Sequence, residues 1–259
     1  MSERPAEVMQ VHTRLLKCSL DLEESRAYWR HSAAPDLVTP ERAFTEYWFG
    51  ARSLPRVALL LTNFRARFDA YPAALAVLQR WPDMDLATRR VVCHWHLQLS
   101  DPLYRAFTGT YLLERREQTP QVRRDAVTAW VGTQGPSRWT MATRIQFASK
   151  LLTAANVAGL VIGIRDPRPL AFPQVPDEAL TYLLYLLREL QIAGTLLDNP
   201  YLASVGLAGP ELDTRLRSLD AVRFRRQGSL VELEWTHSNL AAWAATRHPA
   251  SPTHAGASA

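Results

Sequence analysis

Cys93-His94-Trp95-His96 has the residue types of a metal cluster. On a helix, however, residues two apart project about 200° from one another, so His94 and His96 cannot share an ion unaided. No CxxC or HxxxH pair elsewhere completes a zinc set. The plainer reading is a helix with Trp95 buried and both histidines half-exposed, with no metal and no other cofactor. Carboxylates pair at Glu23-Glu24, at Asp83 with Asp85, and at Glu232 with Glu234. A nuclease needs clustered carboxylates beside a lysine or histidine, and none stands out. GxGxxG, GxxxxGK[ST] and GxSxG are absent, and the chain has only 11 glycines. The expectation is a protein that is not an enzyme.

The basic side chains are the stronger lead. Arg123, Arg124, Arg138, Arg144, Lys150, Arg165 and Arg168 fall between residues 119 and 170, where the acids are Asp125 and Asp166. Seven bases against two acids leave a local excess of five, equal to the +5 of the whole chain. Thr140, Thr143, Arg144, Gln146 and Lys150 avoid the main apolar stripe of the helix that carries them. Thr, Arg, Gln and Lys are the types that bond phosphates and base edges. A second group, Arg215, Arg217, Arg223, Arg225 and Arg226, gathers near an expected hairpin. Phosphate contacts there would be sequence-blind and salt-sensitive. An ordinary solvated face accounts for the same charges. Eight tryptophans invite base stacking, but Trp48, Trp95 and Trp130 sit on helical apolar stripes, where packing explains them.

The elements that must position these residues are mostly helices. Thr39-Pro40 opens a segment through Phe44, Tyr47 and Trp48. Ser53 precedes a helix whose Val57, Leu60, Leu61, Phe64 and Phe68 form one buried stripe, with Arg56, Arg65 and Arg67 off it. Tyr71-Pro72 ends that helix and starts the next. Asp85 caps a helix bearing Leu86, Val92, Trp95 and Leu99. Asp101-Pro102 starts another with Leu103, Phe107 and Tyr111, and Glu114-Arg115-Arg116-Glu117 is its solvated end. Residues 1–118 thus read as an antiparallel helical bundle.

Thr119-Pro120 opens a helix through Val122, Ala126, Trp130 and Val131, broken at Gly132 to Pro136. A long helix follows, with Ile145, Ala148, Leu152 and Ala155 on one face and Gly159 at its end. Short apolar stretches flank the turn at Asp166-Pro167. Helix, turn, longer helix and small hairpin is the order of a winged helix-turn-helix, here residues 119–175. A second such unit, residues 176–245, has a helix through Leu180, Leu183, Leu184, Leu187 and Leu190, ending at Ala193-Gly194. Asn199-Pro200 starts a connector, and Pro210 opens a brief helix with Leu212, Leu216 and Leu219. The run AVRFRRQGSLVELEW alternates like a hairpin turning at Gln227-Gly228, with Glu232 and Glu234 across from Arg223 and Arg225. Residues 246–259 read as a disordered polar tail. The expected fold is therefore mainly α: an N-terminal helical bundle, then winged-helix-like units with short β-hairpins.

Composition agrees with this class. The chain has 259 residues, 47% of them hydrophobic, enough for a real core. Of its 30 basic residues only Lys17 and Lys150 are lysine. Arginine's planar fork suits phosphate and guanine, although a GC-rich genome also favours arginine codons. Cys18 and Cys93 fit a reducing cytosol. The start MSERPAEVMQ lacks the apolar run of a secretory signal, and the longest apolar stretch, Val157 to Ile164, is far short of a span of ~20 residues. A cytoplasmic protein with no membrane association is expected.

The segments FTEYWFGARSLPRVALLLTNFRARFDAYP, HWHLQLSDPLYRAF, WTMATRIQFASKLLTAANVAGL and LLYLLRELQIAGTLLDNPYL resemble the BrxA family of BREX phage-defence systems. The resemblance spans about residues 10 to 240. It implies a small helical protein with helix-turn-helix-like portions, in part similar to the antitermination factor NusB, that binds DNA. It also implies a setting beside a methyltransferase, a phosphatase-like protein and an ATPase. Two function classes follow. One is a non-catalytic accessory protein that binds double-stranded DNA, with RNA left open. The other is a protein-interaction scaffold in a defence complex, which calls for an exposed apolar patch on the N-terminal half.

Overall fold

Local signals set most helix starts. A computed structural model describes residues 4–50, 52–228 and 230–247. Helix α1, Leu22–His31, carries Glu23 and Glu24 in its first turn and Arg30 and His31 in its last, which complements the helix dipole. In α2, Pro40–Thr45, Pro40 takes the first turn and Thr39 Oγ1 accepts the Arg42 N–H at 3.2 Å. Helix α3, Leu54–Phe64, runs into a π-helical turn, Arg65–Asp69, and α4, Pro72–Gln79, follows. Asp85 caps α5, Leu86–Ser100, by accepting the Thr88 N–H at 2.8 Å. Asp101 caps α6, Pro102–Ala106, through the Tyr104 N–H at 2.9 Å. A second π turn, Phe107–Tyr111, joins α6 to α7, Leu112–Gln118.

The chain then alternates small strands with helices: β1, Gln121–Val122; α8, Arg124–Gln134; α9, Met141–Ala158; and β2, Arg168–Pro169. Strand β1 pairs antiparallel with β2, and an antiparallel bridge joins Val161 to Leu170. Then come α10, Asp177–Glu189; α11, Pro200–Ser204; α12, Gly209–Ser218; the hairpin β3, Val222–Gln227, with β4, Leu230–Trp235; and α13, Leu240–Arg247. The architecture is mainly helical, with two small antiparallel sheets among the described residues. No helix among the described residues is long and apolar enough to cross a membrane.

Helix α5 is the axis of the packing. It touches α1, the π turn at 65–69, α6, α9 and α10, and twelve of its fifteen residues are buried. Burying a Val, Leu or Phe side chain contributes roughly 1.5–3 kcal/mol, so a helix covered on all sides anchors the structure. Trp95 is fully buried, and its indole N–H donates to the Tyr201 carbonyl at 3.1 Å. One apolar core runs from Leu15 to Ala244.

Several expectations need correction. His94 and His96 are fully buried rather than half-exposed, because α10 and α11 cover the side of α5 that an amphipathic helix would leave wet. His94 bonds the Tyr104 hydroxyl and Ser204 Oγ, both at 2.9 Å, and His96 bonds the Tyr182 hydroxyl at 2.7 Å. Arg67 lies three residues after Phe64, on the buried side of the helix, and donates to the Leu20, Cys18 and Ser19 carbonyls. The helix expected from Thr119 starts at Arg124, since Gln121 and Val122 extend to pair with β2. Ile145 is exposed, not part of the buried face. Arg116 is half-buried, its guanidinium 3.8 Å above the Phe172 ring. Helix α10 ends at Glu189, before the expected Ala193-Gly194. Thr246 and Arg247 belong to α13, and the rest of the expected tail lies outside the described residues.

Candidate nucleic-acid interface

The seven bases of residues 119–170 lie on or beside α8 and α9, in the connection between them and in the loop that follows. Arg123 is the extended residue before α8, and Arg124 opens the helix. Asp166, from the 163–167 turn, accepts the Arg124 backbone N–H at 2.8 Å. The same carboxylate accepts from Arg168 Nε, also at 2.8 Å. Burial raises the Asp166 carboxyl, but these two donors more than offset it and hold it below the usual carboxylate range. The turn is thereby tied to the start of α8. Asn156 holds its other end, donating to the Val161 carbonyl at 2.9 Å and the Gly163 carbonyl at 3.2 Å.

Between the two helices, Trp139 is buried and stacks on Phe147 with centroids 4.2 Å apart. Thr140 caps α9 by accepting the Thr143 N–H at 3.3 Å. Gly159, at φ 82°, closes α9 in the left-handed region, where a Cβ would be strained. The inner face of α9 is Phe147, Ala148, Leu151, Leu152, Ala154, Ala155 and Ala158, all buried. Its first half presents Met141, Ala142, Ile145 and Gln146 to solvent, and Lys150 follows just beyond.

Arg123, Arg124, Arg138, Lys150 and Arg165 are exposed, as are Thr140 and Gln146. Thr143, Arg144 and Arg168 are half-buried. Among the described residues, Arg123, Arg138, Lys150 and Arg165 form no ion pair within 4.0 Å. Arg144 turns back, donating from Nε to the Trp139 carbonyl at 3.1 Å. Its guanidinium lies over Gly132, where a Cβ would stand 3.0 Å from Nη1. A pocket of about 490 Å³ opens between α8 and α9, with Arg123, Arg124 and Thr128 on one side and Met141, Arg144 and Ile145 on the other.

The second group is in different company. Arg215 pairs with Asp177 at 2.6 Å and donates to the Val175 carbonyl at 2.7 Å. Arg226 pairs with Asp213 at 2.8 Å. Arg217 lies 5.8 Å from the Phe224 ring centroid. Arg223 and Arg225 are exposed, but the hairpin register sets them opposite Glu234 and Glu232, as the alternation implied. Sequence reasoning passed over Asp166 as a brace and Met141 and Ile145 as surface residues. Their four-residue spacing among polar neighbours was the available signal.

Comparison with family models, curated proteins and solved structures finds no match.

Proposed function

We propose that this chain is a non-catalytic accessory protein that binds double-stranded DNA in a bacterial phage-defence system of the BREX type. Residues 119–175 serve as a winged-helix-like unit carried on an N-terminal helical bundle. The defence setting, with a methyltransferase, a phosphatase-like protein and an ATPase as neighbours in the cytoplasm, rests on the resemblance to the BrxA family. One observation carries the DNA reading. Arg123, Arg138, Lys150 and Arg165 are exposed without acid partners around a helix-turn-helix whose second helix has a solvent-facing first half. An α-helix of this kind fits the major groove, and flanking cations hold phosphates. The paired Arg215 and Arg226 support the reading less, because a cation already neutralised releases fewer counterions on binding.

The test is binding to a labelled duplex of arbitrary sequence, titrated at several salt concentrations. Micromolar affinity that falls steeply with salt is expected. Arg138→Ala lowers the magnitude of the log–log slope by about one, and Arg226→Ala leaves it unchanged. Absence of binding at low salt would sink the proposal. A scaffold reading would then lead, favoured by Tyr47, which is 67% exposed yet held at φ 54° beside exposed Phe44.

A further inference from the structure

We infer that the solvent-facing first half of α9 reads A·T base pairs in the major groove, through thymine methyl groups. The inference rests on the DNA-binding reading above and adds which bases are preferred. Met141 is 61% exposed and Ile145 is 42% exposed, one helical turn apart on the same side of α9. Ala142 and Gln146, also exposed and also one turn apart, lie next to them. From residue 141 to residue 150 the helix rises about 14 Å, roughly four base-pair steps. Large apolar side chains in the middle of a basic face gain only if something apolar covers them. In a duplex groove the apolar group available on the base edges is the thymine C5-methyl, which Ala and larger apolar side chains contact. Gln146 adds the amide that bonds adenine N6 and N7 together.

What the surface lacks points the same way. Guanine is usually read by Arg or Lys reaching O6 and N7. Arg144, the arginine in the first turns of α9, is drawn back onto the Trp139 carbonyl and over Gly132. Lys150 stands more than two turns into the helix, at the far side of the exposed arc, a position suited to phosphate. The charges around the face therefore supply affinity, and the apolar residues at its centre supply discrimination.

Three duplexes of equal length, compared at the same series of salt concentrations, test this: A·T-rich, G·C-rich, and the A·T-rich sequence with deoxyuridine replacing every thymidine. Uridine removes only the methyl group and leaves the pairing pattern intact. The A·T-rich duplex should bind about tenfold tighter than the G·C-rich one, in line with the discrimination of well-matched groove contacts. Uridine should cost about fourfold for each methyl lost from contact, the equivalent of one buried CH₂. In Met141→Ala with Ile145→Ala the thymine and uracil duplexes should bind alike, with the salt slope unchanged. Both side chains are exposed, so the variant keeps its core, and an unchanged thermal transition checks this. Equal binding of all three duplexes overturns the inference while leaving the DNA reading intact. An A·T preference that uridine does not weaken also overturns it, because groove shape would then be the cause. Absence of binding to every duplex at low salt overturns both.

Discussion

His94 and His96 are fully buried on α5, and burial pushes both imidazoles down to about 3. An unfolded histidine takes up its proton near pH 6.5. Between these values the unfolded state binds more protons than the folded one, so their contribution to stability is complete above pH 6.5 and is lost as pH falls toward 3. At pH 5 the loss is about 2 kcal/mol per histidine. Urea midpoints at pH 7.5 and pH 5 should therefore lie closer together in His96→Gln than in the parent. An unchanged difference would show that His96 does not carry this cost. The Cys18 and Cys93 thiols are pushed up to about 12 by burial, which leaves them inert packing groups at neutral pH.

At the scale of elements, the π turn between α6 and α7 does specific packing work. Gly109 lies within it, and a Cβ there would stand 2.5 Å from Pro200 Cβ, the first residue of α11. The missing side chain lets α11 sit against the turn, with the Gln98 amide donating to Thr108 Oγ1 at 2.9 Å beneath. Gly109→Ala is expected to cost roughly 1–3 kcal/mol through overpacking, despite the better helix propensity of alanine. Urea unfolding should show a lower midpoint with the m-value unchanged. A stabilised variant would mean that α11 moves aside at little cost. The start of α8 is held in a comparable way by Asp166, a residue forty-two positions away.

Over the whole molecule, the N-terminal segment ties distant parts together. Ala6 bridges to Gln191, the Val8 N–H donates to the Leu99 carbonyl at 2.8 Å, and Tyr71 Oη donates to the Ala6 carbonyl at 3.2 Å. Glu7 is buried and pairs with Arg105 at 3.5 Å. It also accepts the Tyr201 hydroxyl and, at 3.0 Å, the Ala193 N–H. Glu7→Ala leaves Arg105 buried against the Gln98 and Val8 carbonyls without a countercharge, and a loss of about 3–5 kcal/mol is expected. Glu7→Gln keeps the hydroxyl and amide partners and should lose less. Thermal melts of both variants check the order: equal losses would assign the whole effect to the charge of Glu7, and a glutamine variant as stable as the parent would show that the charge is immaterial.

Much of this protein was legible from local spacing. The stripe from Val57 to Phe68, the caps at Thr39, Asp85 and Asp101, and the register of Arg223 with Glu234 and Arg225 with Glu232 depend on neighbours a few residues away or across a tight turn. The same locality located the cationic stretch between residues 119 and 170. Tertiary packing decided the rest. The burial of His94 and His96 depends on α10 and α11 closing over α5, and that of Arg67 on the carbonyls of residues 18–20. Which arginines remain unpaired depends on acids brought from elsewhere, Asp177 to Arg215 and Asp213 to Arg226. Periodicity reports which side of a helix is apolar. It cannot report whether the polar side will meet water or another part of the chain, because that depends on contacts between residues far apart in sequence.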